Sequence, residues 1–176
     1  MTTVLALDLS SVAGWAVGEL GTEPAHGSHR FCAPGASHEA IFASAYRWAK
    51  ELIGHYTPGL VVWEAPLATS FKRGSTTTDT TSLLYGLPAV VGLAAYQAGI
   101  YDIRKAEVRA VRMHFLNCNP KRAEAKAMTV KQCNVMGWQV EDDNEADALA
   151  TWSYMCALLE PRQAMRPTPL FGQRRA

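Results

Sequence analysis

The sequence predicts an α/β domain, a five-stranded mixed sheet flanked by helices. Two observations carry this: two short apolar runs, VLALD and LVVWE, each end in a carboxylate, and three strands precede an alternation of helix and strand. At 176 residues, with 48% hydrophobic and 19% charged, the chain suits one globular domain and excludes a disordered or fibrous class.

Val4 to Leu9 reads as a central strand with Asp8 near its end, and a buried run interrupted by one acid needs an explanation. SSVAG turns the chain into WAVGEL, a second strand paired to the first as a hairpin, and a third lies within Ala25 to Cys32. Ser37 caps a helix from about His38 to His55, whose apolar stripe is Ile41, Ala45, Trp48, Ala49 and Leu52. Leu60 to Trp63 is a fully apolar strand ending at Glu64, and Pro66 bars regular pairing beyond it.

From Thr69 to Thr81 the chain is polar and rich in hydroxyls, which marks a loop. A helix follows from about Thr80 to Ala98, Gly99 closes it, and IYDI is the fifth strand. Shorter helices cover about Lys105 to Phe115 and Pro120 to Met136. The last helix starts at Asp143 or Asn144 and runs to about Leu159. This gives a domain over 1–160 and a basic, proline-containing tail over 161–176.

The opening MTTVLALDLS lacks a basic start and carries Asp8 in its apolar run, which argues against a signal peptide. Thr80 to Tyr101 is broken by Gly86, Pro88, Gly92, Gln97 and Gly99, so it reads as a core helix and not a membrane span. A cytoplasmic protein is expected. Cys32, Cys118, Cys133 and Cys156 are scattered, which suggests ordinary buried thiols and neither a disulfide framework nor a zinc site. The five tryptophans lie within regular elements and are assigned to core or interface, and the five histidines form no ligand set.

The net charge of +1 conceals a strong asymmetry. Residues 104–131 carry eight basic side chains against two acidic, and residues 132–160 carry none against six. A basic surface beside an acidic cluster suits a metal-dependent enzyme acting on a polyanion.

Four acids stand out: Asp8 and Glu64 at strand ends, and Asp143 with Asp147, four apart on one helical face. If adjacent strands bring Asp8 and Glu64 together, the group either holds raised pKa values or binds cations. Magnesium fits such oxygen ligands, and two ions about 4 Å apart can activate a water and stabilise a leaving oxygen. The alternative is structural: strand-end carboxylates also cap loops, Asp143 can cap the helix, and Asp142 and Glu145 can simply favour its dipole.

LALDLSSVAGWAVG, then VVWEAPL, then DDNEADALATWSY resemble in order and interval the three motif regions of RuvC-like Holliday junction resolvases, particularly phage-encoded ones, in the ribonuclease H-like superfamily. The likeness spans roughly residues 3–160. It implies a homodimer that cuts four-way DNA junctions symmetrically, in a bacterial or phage-infected cell, with magnesium held by four acidic positions. Water attacks in line and leaves 5′-phosphate and 3′-hydroxyl ends. Asp8, Glu64 and Asp147 match three of those positions. The fourth lies three residues before the last aspartate in cellular members, which here is Asn144. Asp143 is assigned by its charge and its i,i+4 spacing, with Asn144 as the alternative neutral ligand.

In the resembled family a lysine-bearing helix start lies beside the metals, which implies phosphate contacts for Lys121, Arg122 and Lys126. The alternative is a solvated helix face. Lys72 and Arg73, just beyond Glu64, are placed to reach substrate, and Phe71 is either a wedge between unstacked bases or a packing residue. Arg104, Lys105, Arg109 and Arg112 extend the basic surface, although no periodicity fixes them on the DNA side. The helix over Leu83 to Tyr96 corresponds to the family's dimer helix, and its Ala89, Gly92 and Ala95 allow close approach. Other branched DNA, structured RNA, and non-catalytic binding of branched DNA are the competing readings.

Overall fold

A computed structural model describes residues 2–65 and 78–160. Strands β1 (Thr3–Asp8), β2 (Val12–Glu19) and β3 (Ala25–Arg30) form an antiparallel meander. At its first bend the Ser10 hydroxyl donates to the Val12 carbonyl at 2.6 Å. Helix α1 (His38–Tyr56) starts at Ser37, whose side chain accepts from the Ala40 amide, and ends at Thr57 in the left-handed region. It returns the chain to β4 (Leu60–Glu64), which pairs parallel with β1. Helix α2 (Thr78–Gln97) then leads to β5 (Ile103–Ala106), parallel with β4, so the sheet order is β3-β2-β1-β4-β5.

Strand alternation divides the core between the two faces of the sheet. Leu5, Leu7, Val61 and Trp63 pack under α1 and α2. Val4, Ala6, Ala16, Leu60 and Val62 pack under three further helices, α3 (Val108–Leu116), α4 (Arg122–Val135) and α5 (Asp143–Leu159). Helix α5 is enclosed on nearly every side. Its Ala146, Ala148 and Ala150 let it lie close on the strands, while Leu149, Trp152 and Met155 supply bulk.

The fifth strand lies three residues later than IYDI suggests. Parallel pairing decides this: the Val61 amide donates to the Asp102 carbonyl and Glu64 pairs with Ala106, while Ile100 is buried ahead of the strand. Lys105 therefore belongs to β5, and α3 begins at Val108. Cys133 and Cys156 are buried as expected, but Cys32 and Cys118 are only half-buried. Trp63, Trp138 and Trp152 are core residues, and Trp15 and Trp48 pack at its margin. Ala95 is buried and Gly92 lies against Trp63, so these two small residues serve packing within the chain, while Tyr85, Leu93 and Tyr96 are exposed on α2. Among the described residues no helix is long and apolar enough to cross a membrane.

Candidate active site

The register of β1 on β4 runs from Val4 opposite Leu60 to Leu7 opposite Trp63. Extended by one residue, it sets Asp8 beside Glu64. Both continue the side of the sheet that Val4, Ala6, Leu60 and Val62 present to α5, because residues two apart share a face. The two carboxylates thus meet at the carboxyl ends of neighbouring parallel strands, beneath the start of the last helix.

Gly14 fixes how that helix arrives. It pairs with Asp8 across the hairpin, and a Cβ there would overlap the backbone carbonyl of Asn144. The first turn of α5 therefore rests on bare backbone next to Asp8. Asp142 caps the helix, accepting from the Glu145 amide at 2.9 Å. Buried Glu145 is held by His26 Nδ1 at 2.6 Å and by the Glu141 amide at 2.7 Å, which ties the helix start to β3. Asp143 is the first helical residue and forms an ion pair with Lys126 on α4. Asp147, one turn on, faces the strand carboxylates.

Burial, followed by the charge of Asp147, raises Asp8 to a pKa of about 7, against the opposing pull of Lys126 and Arg122. Burial raises Glu64 to about 8, reinforced by Asp8 and Asp147 and opposed by Arg112 and Arg122. Asp147 is also raised by burial, with Lys126, Arg112 and Arg122 pulling it down. No hydrogen bond or ion pair joins Asp8, Glu64 or Asp147 to a described residue. Three partly buried acids without close positive partners suit a hard divalent cation, which takes oxygen ligands. Among the described residues no three His, Cys, Asp or Glu side chains already converge on one point. Binding an ion would require these side chains to draw together.

These shifts have a consequence for stability. Asp8 and Glu64 would ionise near pH 4 in the unfolded chain but keep their protons to about 7 and 8 when folded. The folded state binds more protons across that window, so the contribution of these two groups is fully present below about pH 4 and falls as pH rises to 7–8. The shift from 3.8 to about 7 at Asp8 corresponds to a loss of about 4 kcal/mol across the window. Thermal melts in EDTA should show the midpoint dropping between pH 5 and 8.5; a flat or rising midpoint would refute the pairing.

Of the basic candidates, Lys126 and Arg122 act on this cluster from α4, one turn apart beside the stripe Ala125, Thr129 and Cys133 that packs inward. Lys121 is the exposed N-cap of α4. Asn144 is half-buried, and its side chain makes no hydrogen bond to a described residue. Phe71, Lys72 and Arg73 lie outside the described residues, as does the 161–176 tail. Sequence reasoning missed the pairing of His26 with Glu145, the seat at Gly14, and the approach of Arg112. Nothing in their spacing marks the first two, since each joins segments more than a hundred residues apart.

No family model matches the sequence, and no curated protein matches it. Solved structures do match. RuvC from T. thermophilus in complex with a Holliday junction substrate aligns with a TM-score of 0.67 at 14% identity, over 92% of this chain and 96% of that one. The chain has the RuvC fold. A second T. thermophilus RuvC structure aligns at 0.63 with 15% identity, covering 91% and 95%. The yeast mitochondrial Holliday junction resolvase Ydc2 aligns at 0.61 with 10% identity, covering 91% and 81%. Its architecture is the five-stranded mixed sheet flanked by helices that the order of elements predicts.

Proposed function

We propose that this chain is a structure-selective endonuclease that resolves four-way DNA junctions by metal-dependent phosphodiester hydrolysis, leaving 5′-phosphate ends. The observation that carries the reading is the placing of Asp8 and Glu64 at the ends of paired strands beneath the helix that bears Asp147, three carboxylates with raised pKa values and no hydrogen-bonded partner among the described residues. It is supported by a shared fold with one protein in complex with a Holliday junction and another that is a Holliday junction resolvase.

In this reading Asp8, Glu64 and Asp147 would hold two magnesium ions, and Asp143 or Asn144 would complete the set; manganese can substitute. When bound, the cation lowers the pKa of the attacking water and neutralises charge developing on the phosphate oxygens. Arg122 and Lys126 hold DNA phosphates against the cluster, and Lys121, Lys72, Arg73 and Phe71 extend the contact. The Lys126 ammonium has three N–H donors, so it can turn one to a phosphate oxygen while it stays paired with Asp143. A homodimer presents two such sites to the two strands of a junction, and the exposed Tyr85, Leu93 and Tyr96 on α2 offer an apolar surface for it.

A 5′-labelled four-way junction, with and without magnesium, tests this beside linear duplex, a Y-fork and an RNA hairpin. Paired, magnesium-dependent nicks confined to the junction are expected. Equal cutting of the other substrates would move the reading to a general branched-nucleic-acid nuclease, and tight binding without cutting, even with manganese, would replace it with an architectural role. Asp143→Asn and Asn144→Ala, assayed together, identify the fourth ligand.

A further inference from the structure

Three hydroxyl side chains are buried among the described residues, and two of them are satisfied. Thr129 on α4 donates to the Ala125 carbonyl four residues back at 2.9 Å, and Ser153 on α5 is hydrogen-bonded to His114 Nε2 at 3.1 Å. Thr151 on α5 is 0% exposed, yet its Oγ1 meets no partner. The Asp147 carbonyl, four residues back, is the usual acceptor for a buried helical threonine and is not taken. The Trp63 indole nitrogen shares this condition, but Trp63 packs on the other side of the sheet.

The course of α5 shows where this idle donor lies. The Asn144 backbone rests on Gly14, which pairs with Asp8, and the Trp152 indole donates to the carbonyl of Gly18, which pairs with Val4. The helix therefore runs back along the strands from their carboxyl ends. Four helical residues span about 6 Å, close to the ~6.6 Å of two strand residues. With Asp147 at the level of Asp8 and Glu64, Thr151 falls near the level of Ala6 and Val62, a fully buried pair. Residues four apart share a helical face and side chains lean toward the N-terminal end, which directs the Thr151 hydroxyl toward Asp147. Asp147 in turn accepts no hydrogen bond from a described residue. A donor without an acceptor thus stands one turn below an acceptor without a donor.

We propose that Thr151 is a positioning residue, whose hydroxyl donates to the Asp147 carboxylate when that carboxylate holds a metal ion. This rests on the metal-dependent reading above and adds to it a residue that touches neither metal nor DNA. A carboxylate has two oxygens, so one can serve the cation while the other accepts from the hydroxyl, and a ligand anchored in this way holds its cation more tightly. The unpaired hydroxyl costs the metal-free fold some stability, and the bond recovers it when the metal binds.

Thr151→Val, which keeps the shape and removes the donor, and Thr151→Ser, which keeps the donor, test the assignment. Calorimetry with Mn²⁺ on the DNA-free protein should show binding about tenfold weaker in Thr151→Val and within about threefold of the wild type in Thr151→Ser. The magnesium concentration for half-maximal junction cleavage should rise by the same factor in Thr151→Val, with the rate at saturating magnesium within about threefold of the wild type. In EDTA the urea midpoint of Thr151→Val should equal or exceed that of the wild type, because valine replaces a hydroxyl that the metal-free fold leaves unpaired. A Thr151→Val protein that binds Mn²⁺ as tightly as the wild type, or melts at lower urea, overturns the proposal and leaves the nuclease reading intact. So does a folded Thr151→Ser protein that binds as weakly as Thr151→Val. A wild-type chain that binds no Mn²⁺ and cuts no junction overturns both.

Discussion

Asp8→Asn should lower the single-turnover rate of junction cleavage about 1,000-fold while leaving junction affinity within roughly threefold. The substitution keeps the size of the side chain but removes a charge that faces Glu64 and Asp147, so on the proposed reading it strikes the reaction and spares the phosphate contacts proposed for α4. The same change should stabilise the metal-free protein at pH 8, where Asp8 is otherwise ionised against its burial and the charge of Asp147. Activity and stability thus move in opposite directions, which simple misfolding cannot produce. Cleavage assays paired with thermal melts in EDTA check both. A variant that cuts within tenfold of the wild type, or melts lower at pH 8, would remove Asp8 from the centre of the site.

Gly14→Ala should be the most damaging change of a single carbon. The added methyl would occupy the space of the Asn144 carbonyl, and neither β2 nor the first turn of α5 can yield without breaking pairing or cap. A destabilisation of about 2–3 kcal/mol is expected, as for other overpacked sites. Cleavage should be lost even at temperatures where the variant stays folded, since lifting α5 carries Asp147 away from Asp8 and Glu64. Gly54→Ala is the control: nothing lies within 4 Å of a Cβ there, and its helical position should gain about 0.5–1 kcal/mol from the exchange. Urea melts and low-temperature cleavage decide the matter; a stable, active Gly14→Ala protein would show that α5 does not depend on that seat.

Much of the fold was legible because its signals are local. Ser37 and the stripe Ile41, Ala45, Ala49 define α1, and the run from Leu60 to Glu64 defines β4. The fifth strand was misplaced because its position is set by hydrogen bonds to β4, which no local pattern records. The same division holds for the site. Asp8, Glu64 and Asp147 announce themselves as acids embedded in apolar runs. The cap was harder to assign: three acids in succession, Glu141 to Asp143, lead into α5, and only the geometry shows that Asp142 takes the Glu145 amide while Asp143 turns to Lys126. His26 and Arg112 carry no sign of their partners in sequence, because tertiary packing alone brings them near.

The enclosure of α5 also bears on how the protein is made. Its residues fill the space over β1, β2 and β4, yet it is the last described element in the chain, so the sheet has no lid on that side until residue 159 has been synthesised. The first and last carboxylates of the cluster are separated by most of the domain, and such long-range closure is late and slow in folding. A nascent chain therefore carries Asp8 and Glu64 without Asp147, and the basic helix α4 without the surface on which it docks. The proposed cutting centre is completed by the same event that completes the core, which leaves a partly made chain without its assembled carboxylate cluster.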